Sequence, residues 1–299
     1  MESLSKKIDF AVVMSVKHAN PNGDPLNSNR PRVNYDGTGE ISDVCLKRKI
    51  RNRLMDAGHG IFVQSDDNRI DDYRSLRERA EKELGAAVKD EKTLREEASK
   101  KWLDVRAFGQ VFAFKGAGKK KGKGKDADEE TNDKGVSVGI RGPVSIHPAF
   151  SIVPVNDKVT SMQITKSVSG EGDGSKRGSD TMGMKHRVDH GLYVSYGSMN
   201  PQLATKTGFS DADAIAIKEA LQKLFENDSS SARPEGSMEV VKLIWWEQNG
   251  PNGKYPSAKV HRTLKVAPKP DKPEPKCVED YIIKTDDLEG LKPEIIDGL

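Results

Sequence analysis

Residues 8–16, IDFAVVMSV, have an apolar side chain at every second position from Ile8 to Val16, with Asp9 and Ser15 among the residues between them. A period of two residues is typical of a β-strand that is buried mainly on one face. The sequence therefore predicts a strand here, and the neighbouring segments are interpreted outward from it.

The segment after this strand predicts a loop and then a helix. Residues 20–30, NPNGDPLNSNR, are dense in turn-forming residues. Ser42 is a suitable N-cap and Gly58 would lie beyond the end, so we expect a helix over Ser42–Asp56. Apolar residues four apart form its buried stripe, and cations border the stripe on both sides: Leu46, Ile50 and Leu54 in the stripe, and Lys47, Lys49, Arg51 and Arg53 along the borders.

The middle of the chain predicts a charged helical insertion followed by strands. Tyr73–Lys101 is charge-rich and compatible with a helix, and strand-like runs follow at Asp104–Phe114 and Val136–His147. Residues 115–134 begin with a lysine- and glycine-rich run and have little to bury, so we expect a mobile loop. Residues 158–187 predict a hairpin with a glycine-rich tip.

The last part of the chain predicts a strand at His190–Asn200, a helix that begins after Ser210, and a strand at Met238–Glu247. In order, these elements predict an α+β fold, an RRM-like or ferredoxin-like sheet with helices on one face. We expect residues 1–266 to form this palm, with a helical region inserted at about 60–103. Residues 267–299 are expected to be a proline-rich linker and an acidic tail.

Composition limits the classes of function. The net charge is only +3, but from residue 279 onward seven carboxylates stand against two lysines, so the preceding residues have a positive excess that suits a polyanionic partner. Two distant cysteines give neither a disulfide framework nor a metal site, which favours a cytoplasmic protein. No signal peptide is visible, and no apolar run reaches the roughly 18 residues that span a bilayer.

Three blocks of sequence resemble one known family. They are HANPNGDPLNSNRPRVNYDGTGEISDVCLKRKIRNRL at His18–Leu54, DVRAFGQVF at Asp104–Phe112, and KRGSDTMGMKHRVDHGLYVSYGSMNP at Lys176–Pro201. They are similar to the Cas-seven family, in its Csd branch of type I-C CRISPR Cascade. The resemblance implies a modified RRM palm with a protruding β-hairpin thumb, in which copies of the chain form a helical filament along one CRISPR RNA. It also implies target DNA paired to the guide and other Cascade subunits as partners, with no catalysis and no cofactor.

The candidate RNA contacts are cations and polar residues of the loop, the first helix and the hairpin: Asn20, Asn22, Gly23, Arg30, Ser42, Lys47, Arg48, Arg51, Lys166, Lys176, Arg177, Lys185 and His186. Lysines, arginines and a glycine- and asparagine-rich loop can hold phosphates without selecting a base. The alternative is that the helix cations only face solvent. Three methionines of the hairpin are either a wedge against a displaced base or core filler: Met162, Met182 and Met184.

Two other functions stay open at this point. Asp24 is a candidate catalytic acid, because related type III backbone subunits cut target RNA with a loop aspartate, although a lone acid in a turn usually serves the turn. A generic single-stranded RNA-binding protein is the other alternative. No nucleotide or metal site is expected, because residues 116–125 lack the phosphate-loop spacing and His186 and His190 do not lie on a predicted helix.

Overall fold

The computed structural model describes residues 2–114, 136–165 and 182–299, which form a mixed α+β fold. Its strands are β1 (Ile8–Ala19), β2 (Gly23–Asp24), β3 (Arg30–Pro31), β4 (Thr38–Ile41), β5 (Gly109–Phe114), β6 (Val136–Arg141), β7 (Val144–Ile146), β8 (Ala149–Pro154), β9 (Val159–Thr165), β10 (Met182–Met199), β11 (Met238–Glu247), β12 (Leu264–Pro268), β13 (Tyr281–Thr285) and β14 (Glu294–Asp297). Its α-helices are α1 (Asp43–Asp56), α2 (Leu76–Leu84), α3 (Glu91–Lys101), α4 (Leu103–Phe108), α5 (Pro201–Thr207), α6 (Asp211–Gln222) and α7 (Ser257–His261).

The predicted first strand is an inner strand of the main antiparallel sheet. Along this sheet the strand order is β14-β11-β1-β10-β8-β4, and β7 and β9 also pair with β10. Phe10 lies opposite Gly197 on one side and Trp245 on the other. Gly197 has to be a glycine, because a Cβ there would overlap the Phe10 ring. β1 is therefore flanked on both sides along its length.

One face of the sheet is covered by α1 and α6. Phe10, Val12 and Met14 of β1 pack with Ile50 of α1 and Leu221 of α6 in a single buried cluster. Both helices begin where the sequence predicts: the Ser42 side chain caps α1, and Ser210 forms a capping box with Asp213 in α6. The predicted helical cover is thus confirmed for α1 and α6, whereas the short α7 packs on the opposite face.

The other face of the sheet is covered as well, which corrects the prediction for the end of the chain. Tyr281 and Leu291, from the segment expected to be linker and tail, are buried against Ala11 and Val13 of β1. β12 pairs with β13, and β14 extends the main sheet next to β11. Residues 264–297 adopt this structure because the alternate side of β1 is also apolar and requires a cover.

The region predicted as a strand at Asp104–Phe114 is helical over its first part. α4 takes up Leu103–Phe108, and Gly109, with a φ of +81°, ends the helix before β5. The Asp104 carboxylate accepts hydrogen bonds from the amides of Phe62 and Val63 at 2.7 and 3.1 Å, which holds this short helix against the start of the insertion. The strand prediction was therefore wrong for residues 104–108.

The helical insertion and the hairpin are both present. α2 and α3 lie within the predicted helical region and have a small core of their own around Phe62, Leu94 and Trp102. β9 and β10 pair from Val159 opposite Val188 to Thr165 opposite Met182, which is the predicted hairpin. The expected loop at 115–134 and the hairpin tip lie outside the described residues. None of the helices in the described ranges has the length and apolar character required to cross a membrane.

Candidate nucleic-acid interface

The loop after β1 is fastened to the first turn of α1. The Asn22 side-chain oxygen accepts hydrogen bonds from the backbone N–H and the hydroxyl of Ser42, both at 2.9 Å. The Ser42 Oγ in turn accepts from the N–H of Cys45 at 3.3 Å. Because these contacts use the Ser42 hydroxyl and the Asn22 oxygen, both residues build the surface, and the Asn22 amide nitrogen is the group left for a ligand.

Other predicted contacts in this loop also shape it from within. Asn20 is buried, and its Nδ2 donates to the carbonyl oxygen of Asn29 at 2.7 Å. Gly23 lies directly beside the Asn29 side chain, which a Cβ at this position would overlap. Asn29 has a φ of +58°, a left-handed conformation that asparagine tolerates better than most residues. The asparagines and the glycine therefore fix the conformation of the loop.

A polar groove, here called the α1 groove, lies between this loop and α1. Its volume is about 360 Å³, and its lining residues are Pro21, Asn22, Gly23, Cys45, Arg48, Lys49, Asn52, Asp67, Asn68, Asn227, Asp228, Ser229, Ser230 and Arg233. Guanidinium, amide and hydroxyl donors converge in it from four separate segments of the chain. This donor set suits phosphate oxygens and ribose hydroxyls without selecting a base.

The predicted cations of α1 separate into two kinds. Arg48 is exposed over 57% of its side chain and contacts the still more exposed Asp67 at 2.8 Å. Lys47 pairs with Asp43 one turn earlier at 3.0 Å and lies over the ring of Phe108. Pairs in such positions are weak and exchange readily with solvent or another anion. Both side chains can therefore turn to a phosphate.

Arg51 points into the protein. Its Nε donates to the fully buried Asp104 carboxylate at 2.9 Å, and its guanidinium lies over the Phe108 ring. Lys49, on the same helix, is buried against Asp228, which Arg233 also contacts at 3.1 Å. Burial lowers the pKa of Lys49, and the Asp228 carboxylate opposes that effect. These two cations join α1 to distant segments, so an RNA contact by Arg51 stays a prediction that its geometry does not favour.

The base of the hairpin is connected to the same loop. Arg30 Nη1 donates to Ser161 Oγ at 3.1 Å, and Ser161 Oγ is 2.7 Å from His186 Nδ1. His186 is buried, and burial followed by the nearby Arg30 charge lowers its pKa. Lys185, half-buried next to it, makes no ion pair within the described part of the chain. The structure thus brings Arg30 and His186 together through Ser161, while Lys185 precedes His186 on β10.

The hairpin strands carry exposed apolar side chains. Met184 is 52% exposed and Ile164 is also exposed, while Met162 is half-buried. Met182 lies in β10, but its side chain is not described, and Lys166, Lys176 and Arg177 fall outside the described residues. Met184 is consequently available to contact a partner, whereas the wedge role of all three methionines stays a prediction.

Asp24 has the geometry of a turn residue. Its side chain accepts from the N–H of Leu26 at 3.2 Å and caps the short 3-10 helix Pro25–Asn27, and Arg32 approaches it at 3.7 Å. Over residues 2–114, 136–165 and 182–299, no group of three or more His, Cys, Asp or Glu side chains is arranged to hold a metal ion. The contacts that Asp24 makes are therefore those of a residue that stabilises a turn.

Sequence reasoning missed the contribution of residues 227–233 to the α1 groove. Asn227, Asp228 and Arg233 follow α6 and reach α1 only through the tertiary fold. Asn52 was also missed, although it lies on α1 one turn after Arg48 and therefore on the same side of the helix. That spacing was the one local signal that could have identified it.

This chain is similar to a curated protein and to chains of two solved structures. The chain is 29% identical over 233 residues to a Haloferax volcanii protein described as CRISPR-associated protein Cas7, a match that covers 75% of this chain and 65% of that protein, slightly under two thirds of its length. A solved structure described as a CRISPR RNA-guided surveillance complex, pre-nicking, is similar at a TM-score of 0.46 and 13% identity, covering 84% of this chain and 79% of that one. Another, described as a CRISPR RNA-guided surveillance complex, has a TM-score of 0.40 and 14% identity, covering 84% and 71%.

A family profile gives the broadest match. The profile described as CRISPR-associated protein Cas7 aligns with residues 6–286, which include every element from β1 to β13. Both the α1 groove and the base of the hairpin lie within this range. The chain therefore belongs to the CRISPR-associated protein Cas7 family.

Proposed function

We propose that this chain is the CRISPR RNA-binding backbone subunit of a type I-C Cascade effector, and that copies of it assemble along the guide and support its pairing with target DNA without catalysing a reaction. Membership in the Cas7 family supports this proposal. The observation that carries it is the α1 groove, where Arg48, Asn22 and Asn52 present donors beside a loop that the fold holds rigidly.

The sheet supports an RRM-like interpretation of the palm. The chain order β1, α1, β8, β10, α6, β11 and the spatial order β11-β1-β10-β8 fit a βαββαβ arrangement with both helices on one face. In an ordinary RRM the opposite face stacks bases on aromatic side chains. Here α7, β12 and β13 cover that face, so we place the RNA along the loop and the hairpin base.

Recognition in this proposal is divided between protein and nucleic acid. Cations and amides hold the ribose–phosphate backbone, which gives affinity without sequence preference. Base pairing between guide and target provides the sequence specificity. The exposed Met184 of β10 would contact the strand from the hairpin side.

The test is to co-express the chain with its partner subunits and a guide, and then to purify the assembly. We expect a discrete RNA to co-purify and electron microscopy to show a regular multi-copy array. A monomer that retains no RNA would reject the proposal. Binding of any RNA with equal affinity and without an ordered multimer would instead establish the generic RNA-binding alternative.

The same assembly tests for cleavage through Asp24. We expect a guide-complementary RNA to stay intact in the presence of divalent metal ions, both in the parent and in Asp24→Asn. Cuts at regular spacing that disappear in Asp24→Asn would establish the nuclease alternative. Glu40→Gln is a matched control, because it also neutralises one carboxylate of the N-terminal region that is not fully exposed.

A further inference from the structure

A second groove lies between α3, α4 and α5, and it shares no lining residue with the α1 groove. This α3–α5 groove has a volume of about 590 Å³, and its lining residues are Arg95, Glu96, Ser99, Lys100, Arg106, Thr205, Lys206, Thr207 and Gly208. Four cations thus face one carboxylate. None of these residues takes part in the proposed guide contacts.

Two of the four cations already have firm or partial partners. Arg106 makes two hydrogen bonds to the Asp213 carboxylate at 2.9 and 2.6 Å, and Arg95 pairs with Glu91 on the exposed surface of α3 at 2.6 Å. Lys100 and Lys206 are exposed and form no ion pair within the described ranges. These two lysines are therefore the groups with most to gain from an anionic ligand.

The positions of the two lysines have a partial local explanation. Lys100 lies in the last turn of α3 and Lys206 in the last turn of α5, where a cation offsets the negative end of the helix dipole. That effect explains each lysine separately. It does not explain why the C-terminal ends of both helices line the same groove, together with the hydroxyl-bearing residues Ser99, Thr205 and Thr207.

The composition of the groove favours nucleic acid over a protein partner. Its lining contains no aromatic residue and no large aliphatic residue. The buried centres of protein–protein interfaces are rich in aromatic residues and poor in lysine. Interfaces with nucleic acids are more polar and more positively charged, and arginine, lysine, serine and threonine supply many of their phosphate contacts. A concave cationic groove is also the usual site for a single strand.

We propose that the α3–α5 groove binds the phosphate backbone of a single-stranded nucleic acid other than the guide. Lys100 and Lys206, both exposed, would contact the phosphates through their ammonium groups. Phosphate contacts of this kind carry no sequence information, so we expect the binding to be independent of sequence. The guide occupies the α1 groove in the same assembly.

The experiment uses the guide-loaded assembly and a fluorescein-labelled single-stranded DNA that has no complementarity to the guide. We expect the double substitution K100E/K206E to weaken DNA binding about tenfold and to reduce the slope of log affinity against log salt by about 1.4. The control is K82E/K92E, which reverses two exposed lysines of the helical insertion that do not line the groove. The control should bind like the parent.

Three results would overturn the proposal. One is unchanged DNA affinity in K100E/K206E. Another is loss of the guide RNA from K100E/K206E during purification, which would assign the groove to the guide. The third is loss of a protein subunit from the assembly while the DNA affinity stays the same, which would assign the groove to a protein partner. Because guide content is measured separately, failure of the guide-binding proposal is distinguishable from failure of this one.

Discussion

The cations of α1 are neighbours in sequence but differ in what they do. Arg51 and Lys49 are 13% and 4% exposed and pair with acidic residues from distant segments, whereas Arg48 is 57% exposed beside a carboxylate that is more exposed still. A buried charge costs several kcal/mol unless it is paired, so the inward pairs are needed to keep the fold. The outward pair is weak and leaves its arginine available to a ligand.

This difference shows that a run of cations is not one site. A helix turns by 100° per residue, and so adjacent lysines and arginines face different surroundings. On α1, burial of the carboxylate partner determines the role of each cation. Asp104 is fully buried, while Asp67 is largely exposed.

The largest expected effect is on stability and compares the two carboxylates directly. Asp104→Ala removes the partner of Arg51 and the acceptor of two backbone amides, so we expect it to lower the free energy of unfolding by about 3–5 kcal/mol. Asp67→Ala should lower it by less than about 1 kcal/mol. Denaturant unfolding followed by fluorescence measures both, because Trp102, Trp245 and Trp246 are buried.

A second variant keeps this test informative if Asp104→Ala does not fold. Asp104→Asn retains a side-chain oxygen for the amides of Phe62 and Val63 but removes the negative charge next to Arg51. We expect an intermediate loss of stability. Equal unfolding free energies for Asp104→Asn, Asp67→Ala and the parent would show that the inward pair contributes no more than the outward one.

The next effect concerns RNA and tests the outward cations. Lys47→Ala combined with Arg48→Ala should weaken binding of single-stranded RNA about tenfold, regardless of sequence, and reduce the salt slope by about two. The physical reason is that each cation that contacts a phosphate displaces a counterion from the RNA. A variant that lacks two such cations therefore releases fewer counterions on binding. Fluorescence anisotropy over a salt series measures both quantities.

The control for this effect is Lys82→Ala combined with Lys92→Ala, two exposed lysines outside the α1 groove. It removes the same charge and should bind RNA like the parent. An unchanged salt slope in Lys47→Ala with Arg48→Ala would mean that these side chains face only solvent, and it would contradict the distinction between the two kinds of cation.

Local sequence signals predicted the elements that depend on neighbours in the chain. The alternation at Ile8–Val16 gave β1, the Ser42 cap gave the start of α1, and the glycine-rich interval after Val159 gave the hairpin. In each case the pattern and the element that it predicts lie within a few residues of one another. Such patterns act through hydrogen bonds and burial along a single segment.

The roles of the cations could not be predicted in this way. Arg51 pairs with a residue 53 positions away, and Lys49 pairs with one 179 positions away. The same applies to the C-terminal cover, since Tyr281 becomes buried only against β1 and β10. The α1 groove likewise includes residues 227–233, which no spacing connects to the helix. Tertiary contacts decide these features.

The smallest expected effect is on the pH dependence of stability, and it concerns a buried histidine whose neutral form is favoured by burial. His190 is buried, its Nε2 has no hydrogen-bond partner in the described structure, and burial followed by the charge of Lys158 lowers its pKa from 6.5. The unfolded chain therefore binds a proton that the folded chain resists. The stabilising contribution of neutral His190 is therefore complete above pH 6.5. It is lost as the pH falls from 6.5 through the lower pKa of the folded state.

His190→Gln removes this linkage while keeping a polar side chain of similar size. Denaturant unfolding over a series of pH values should show a smaller loss of stability below pH 6.5 in the variant than in the parent. His261→Gln should act in the same direction, because burial also lowers the pKa of His261. Since the two sites are separate, their effects should add in the double variant. Stability curves that run parallel over this pH range for the parent and His190→Gln would contradict the prediction.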